Sequence, residues 1–173
     1  MTSPHFQGPD WTAALHHLEH GPLFAFSDWP HHALPSIAAG VYSIWRDPQL
    51  VYVGMAGRGP LVEESSSTKT RGLTDRLRSH ASGRRSGDNF CVYVCDRLVL
   101  PTLSPEDIRQ VASGALSLDA RTQAFIHAHL GYRFVQVPDG TSALSLENQV
   151  KGGALSCGPP LLNPDTRRKN KGP

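Results

Sequence analysis

The stretch Gly40-Val41-Tyr42-Ser43-Ile44-Trp45-Arg46-Asp47-Pro48-Gln49-Leu50-Val51-Tyr52-Val53-Gly54 decides the fold. It holds two short runs rich in β-branched and aromatic residues, 40–45 and 50–54. Arg46–Gln49, with Asp47-Pro48 at its centre, reads as the turn between them, so the stretch predicts a β-hairpin. A glycine stands toward each outer end: Gly40 two residues before Tyr42, Gly54 two residues after Tyr52. Glycine within a strand often marks a place where another part of the chain comes close. A tyrosine within a strand is by default a packed β-former.

Outward from the hairpin, the pattern changes period. Residues 55–70 (MAGRGPLVEESSSTKT) have no period and read as a loop. Over 72–82, Leu73, Leu77 and Ala81 recur four apart, which predicts one side of a helix, with Gly83 as its end. Residues 90–95 alternate and are predicted as a strand. Ser104-Pro105-Glu106-Asp107 is a helix start with a cap, Pro at the first position and an acid three residues after Ser104. A helix to about Ser113 and another over about Asp119–His129 follow, then a strand over 132–137 and a helix capped by Thr141 or Ser142. Upstream, Asp10 caps a helix over Trp11–Glu19, and residues 20–38, rich in Pro, His and aromatics, read as an extended loop. A hairpin and separate helices, with no internal repeat, predict an α+β fold.

The chain has 173 residues and 18.8 kDa, with 39% hydrophobic and 18% charged residues. That suits one globular domain and excludes a disordered chain. No apolar run approaches the ~20 residues of a membrane-spanning helix. The start lacks a basic and then apolar leader pattern, so a cytoplasmic protein is expected. Three cysteines, Cys91, Cys95 and Cys157, form no CxxC pair. Four residues along a strand would hold Cys91 and Cys95 ~13 Å apart, beyond disulfide reach, so reduced thiols are expected.

The net charge is only +2, but the basic residues are unevenly placed. Lys69, Arg71, Arg76, Arg78, Arg84 and Arg85 lie in one segment against Asp75 alone; Arg167, Arg168, Lys169 and Lys171 lie at the C-terminal end. A basic band of this kind permits nucleic-acid binding. The plainer reading is a solvated helix face and a basic tail.

Several polar residues form a set with chemical meaning. Tyr42 and Tyr52 lie one on each run of the hairpin. Arg76 and His80, at i and i+4, share a helix face. Glu147 lies on the late helix, and Asn163 precedes a proline near the end. Two phenols, a guanidinium, an imidazole and a carboxylate are the parts for phosphoryl transfer with one hard cation. A carboxylate anchors Mg²⁺, which keeps most of its waters. Arginine binds phosphate oxygens and opposes developing charge. A phenol or imidazole positions or deprotonates water.

These residues in this order resemble the GIY-YIG nuclease superfamily. Gly40-Val41-Tyr42 and Tyr52-Val53-Gly54, ten residues from Tyr to Tyr, look like its paired motif. Asp75-Arg76-Leu77-Arg78-Ser79-His80 resembles its first helix, Leu146-Glu147-Asn148 its metal-binding glutamate segment, and Leu162-Asn163-Pro164 its closing asparagine. The resemblance spans Gly40 to Asn163. It implies a small antiparallel sheet of about three strands flanked by helices, here with inserted helices and an extra strand. It implies an N-terminal extension over 1–38, a nuclease domain over 39–164 and a basic tail over 165–173.

The resemblance also implies roles. Glu147 would bind Mg²⁺ or Mn²⁺ and Arg76 would hold the scissile phosphate. Tyr42 would orient or activate the water, with Tyr52 and His80 assisting. Gly40, Gly54 and Asn163 would shape the site. Lys69, Arg71, Arg78, Arg84 and Arg85 would contact nucleic acid, expected to be DNA. The family often places a lysine after its second glycine, where Met55 stands here, and the segment 55–71 is longer than in compact members. With no separate recognition domain in view, a second copy or a partner protein is expected to supply specificity.

Two other readings compete with a metal-dependent endonuclease. One is a catalytically silent nucleic-acid-binding module on the same fold. The other is a metal-binding or interaction domain built on His16, His17, His20, His31 and His32, for which no Cys or acidic partner sits at ligand spacing.

Overall fold

In the computed structural model the described residues are 10–35, 38–57 and 72–163. Lys69, Arg71 and the basic tail lie outside them. Four strands, β1 (Phe24–Ala25), β2 (Gly40–Arg46), β3 (Gln49–Ala56) and β4 (Gly131–Gln136), form one sheet in the order β1-β4-β2-β3. Every neighbouring pair is antiparallel. The hairpin is β2–β3, closed at Arg46 opposite Gln49, with a register shift at Ile44/Trp45.

Six helices accompany the sheet among the described residues: α1 (Thr12–His20), α2 (Leu73–Ala81), α3 (Asn89–Val94), α4 (Pro105–Ala112), α5 (Leu118–His129) and α6 (Gly140–Lys151). Both sheet faces are covered, so β2 is buried from Gly40 to Trp45 without alternation. Tyr42 and Ile44 join Leu73, Leu77, Phe90, Ile126, Tyr132 and Phe134 in one apolar layer. Val41 and Trp45 join Ala14, Leu18, Val135, Leu146 and Val150 in the other. Alternate side chains of a strand leave on opposite faces, which divides β2 between the two layers. The N-terminal segment is part of this second layer through α1.

The α+β class and the hairpin are as expected; four local readings are corrected. Residues 90–95 are not a strand. Asp88 caps α3, its Oδ1 accepting from the amides of Phe90 at 2.9 Å and Cys91 at 3.4 Å. Phe90, Cys91, Val94 and Cys95 then face the core at helical spacing. An apolar run this short fits either period, and the cap decides it. Cys91 and Cys95 are thus neighbours on a helical face rather than points along a strand, and both are free, as is the exposed Cys157.

The additional strand lies instead within 20–38, where Phe24 and Ala25 pair with Tyr132 and Gly131. Two residues are too few to display a strand period. Finally, α6 is capped by Asp139, whose Oδ1 accepts from the Ser142 amide at 2.8 Å, and not by Thr141 or Ser142. The Ser104–Asp107 capping box is formed as expected. The N-cap of α1 is Trp11 rather than Asp10, whose carboxylate accepts from the Thr12 amide at 2.9 Å.

Candidate functional site

The site begins with the pairing of Tyr42 and Gly54 across the hairpin. A Cβ at Gly54 would overlap the Tyr42 hydroxyl and ring, so the glycine is the space in which the phenol lies. At Gly40 a Cβ would meet the Val135 carbonyl and the Leu73 side chain. This glycine lets β4 and α2 close on β2. The two glycines flagged in the sequence are therefore packing requirements, each beside one of the elements that carry the polar set.

α2 supplies the next part. Its Leu73, Leu77, His80 and Ala81 are buried and point to the sheet. His80 takes its place among apolar neighbours by satisfying both ring nitrogens. Nε2 is 2.7 Å from the Tyr42 hydroxyl, and Nδ1 is 2.6 Å from Asp88 Oδ2. Tyr42, His80 and Asp88 are 0%, 1% and 7% exposed, so this chain of contacts is shielded from water. Tyr52 stands edge-on to the His80 ring at 5.9 Å, and Phe90 packs on it at 4.6 Å.

Burial, the largest effect, holds the His80 imidazole below its ordinary value of 6.5, with Asp88 opposing and Arg76 reinforcing. For Asp88, burial pushes the carboxyl up, but hydrogen bonds and charge from His80 and the α3 amides prevail and hold it below its ordinary value. The pair is thus a neutral imidazole beside a carboxylate. Burial raises both phenols, Tyr52 to about 12 and Tyr42 well above its usual 10. At neutral pH both are protonated.

Glu147 comes from α6, which packs on β3 and β2. Its charge acts on both phenols, as does that of Arg76 with the opposite sign. Glu147 is 5% exposed. Its Oε1 is 3.0 Å from Lys151 Nζ, and its Oε2 is buried with no hydrogen-bond partner among the described residues. A bare buried carboxylate oxygen is costly, and it fits a cation held by one carboxylate and waters. Among the described residues no three His, Cys, Asp or Glu side chains converge to form a metal cage. The N-terminal histidines stack in pairs, His16 with His20 and His31 with His32.

Arg76 is exposed and pairs with no carboxylate among the described residues. Asn163 reaches β3, where it brackets the Val53 peptide: Oδ1 accepts from the Val53 amide at 2.8 Å, and Nδ2 donates to the Val53 carbonyl at 2.9 Å.

Among the described residues, Arg78 lies on another face of α2 from His80. Asp75, Arg78, Ser79 and Ser82 form the face of α2 opposite Leu73, Leu77 and His80. With Arg84, Ser86 and Gln123 they line an open groove of about 520 Å³. Arg78 is 3.0 Å from Asp75, and Arg85 is 2.6 Å from Asp119 on α5.

Sequence reading missed Asp88 and Lys151. Asp88 is an N-cap, a signal visible in principle, but the run after it has the look of a strand. Lys151 lies four residues beyond Glu147, the ordinary spacing of a helical ion pair. Comparison of the chain with protein-family models, with curated proteins and with solved structures gave no match.

Proposed function

We propose that this chain is a divalent-metal-dependent endonuclease of the GIY-YIG type, hydrolysing phosphodiester bonds in DNA. The observation that supports it best is the contact of a buried phenol on β2 with a buried imidazole on α2. The charges of Arg76, which pairs with no carboxylate among the described residues, and of Glu147, with one bare oxygen, both act on that phenol.

In this reading Arg76 binds the non-bridging oxygens of the scissile phosphate and opposes charge that builds on them. Tyr42 would orient the attacking water once substrate binding opens a path to its buried hydroxyl, and Tyr52 and His80 would hold Tyr42 in place. The water oxygen bonds to phosphorus as the bond to the leaving oxygen breaks. Glu147 would hold Mg²⁺ or Mn²⁺ through Oε2, and the ion would supply Lewis-acid polarisation of the phosphate. Arg78 and Arg84 around the groove would take neighbouring backbone phosphates, placing the duplex or strand across α2. A second copy or a partner protein would add specificity.

A second reading, a silent nucleic-acid-binding module, has one observation in its favour. Lys151 occupies one Glu147 oxygen and would compete with a cation. The two readings separate on supercoiled plasmid and single-stranded DNA incubated with Mg²⁺, with Mn²⁺ and with chelator. The nuclease predicts metal-dependent cutting by the wild type that Glu147→Ala and Arg76→Ala abolish. Salt-sensitive binding without cutting supports the silent module. Equal cutting by the wild type and both variants sinks the assignment.

A further inference from the structure

The contact between His80 and Tyr42 has a direction, and Asp88 sets it. Asp88 uses its two oxygens for different tasks. Oδ1 accepts from the Phe90 and Cys91 amides at the start of α3, and Oδ2 lies 2.6 Å from His80 Nδ1. A carboxylate can only accept hydrogen bonds, so Nδ1 must carry the ring proton. The neutral ring then has a lone pair on Nε2, 2.7 Å from a hydroxyl that is itself fully buried. Since α3 begins with this same side chain, the helix cap and the ring orientation are fixed together.

We propose that Asp88 is a positioning residue that locks His80 as its Nδ1–H tautomer and so makes Nε2 the proton acceptor for Tyr42. The inference rests on the nuclease reading and deepens it. In the reaction, which requires that substrate binding open a path from solvent to the buried Tyr42 hydroxyl, a water proton passes to the Tyr42 oxygen while the Tyr42 proton passes to His80 Nε2. The water oxygen bonds to phosphorus, and the leaving oxygen departs with the electron pair of the broken bond. The imidazolium formed is stabilised by Asp88 and disfavoured by Arg76, the charged groups that act on this ring among the described residues. Its proton then returns by way of Tyr42 to the leaving oxygen or to solvent, which restores the neutral ring. Tyr42 thereby acts as a base without being ionised beforehand, which its burial forbids.

Asp88→Asn tests this with little change in shape. The amide oxygen can still cap α3, while the amide nitrogen faces Nδ1 and must donate to it. That requires the Nε2–H tautomer, which turns a donor toward Tyr42. The tautomer of His80 is read by long-range ¹H–¹⁵N NMR in the wild type and in the variant, with thermal melting as the check on folding. DNA cutting and DNA binding are measured alongside. Expected are Nδ1–H in the wild type, Nε2–H in the variant, and cutting slower by about 100-fold or more with DNA affinity unchanged. An Nε2–H wild type overturns the proposal, and this needs no variant. A variant with the flipped tautomer and full cutting also overturns it. A wild type inert toward DNA under all conditions defeats the nuclease reading instead, and the tautomer alone then decides whether Asp88 sets the ring.

Discussion

Asn163 pairs with Val53 as a neighbouring strand would, accepting from its amide at 2.8 Å and donating to its carbonyl at 2.9 Å. β3 is one of the two edge strands of the sheet. The amides of Leu161 and Leu162 also donate to the carbonyls of Leu50 and Val51. The segment thus covers an edge that would otherwise present unpaired backbone groups. Asn163→Ala should cost about 1–3 kcal/mol, the sum of two ordinary hydrogen bonds. Urea unfolding measures it, and hydrogen exchange should show the Val53 amide losing protection. Unchanged protection would mean that the asparagine does not seal the edge.

Gly54→Ala should damage the site more than its size suggests. The added methyl enters the volume of the Tyr42 hydroxyl and ring. Overpacking of this kind costs about 1–3 kcal/mol, and relief would require Tyr42 to leave His80. A lower melting temperature together with loss of cutting is expected. A variant as stable and active as the wild type would show that Tyr42 does not need this space.

Acid should weaken the fold in two stages. A histidine held below 6.5 in the folded state is protonated more readily in the unfolded chain. Its stabilising contribution is complete above 6.5 and is lost as pH falls from there toward the folded value. Asp88, held below 3.8, contributes above that value and loses its contribution as pH falls further. His17 is also lowered by burial and acts in the same direction as His80. Melting temperatures followed from pH 8 to pH 4 should therefore fall below about 6.5, and more steeply for the wild type than for His80→Gln. Parallel curves for the two proteins would remove His80 from the account.

The basic residues should separate by their surroundings. Arg84 is exposed at the groove, whereas Arg85 is already engaged by Asp119 at 2.6 Å. Arg84→Ala should reduce the slope of log affinity against log salt by about one phosphate contact. Arg85→Ala should change it less. Fluorescence anisotropy with labelled DNA over a salt series measures both. A larger effect at Arg85 would place the nucleic acid nearer α5.

Some of the site was legible in the chain because it depends on local spacing. Tyr42 and Tyr52 mirror one another across a turn marked by Asp47-Pro48. Arg76 and His80 fall one turn apart on a helix that Leu73 and Leu77 announce. Asp88 and Lys151 were not legible as site residues. The role of Asp88 appears only when α3 brings its carboxylate against a ring eight residues earlier.

The sequence by itself determined the hairpin, the α+β class, most helices and the polar set from Tyr42 to Glu147, since turns, caps and periods are short-range properties. The tertiary structure decided what short-range pattern leaves open. It made 89–94 a helix, because a cap and a core face outweigh an ambiguous run. It placed a two-residue strand beside β4, which no periodicity can signal. It set His80 between Tyr42 and Asp88 and left one Glu147 oxygen bare, because burial compels each polar atom either to find a partner or to pay for lacking one.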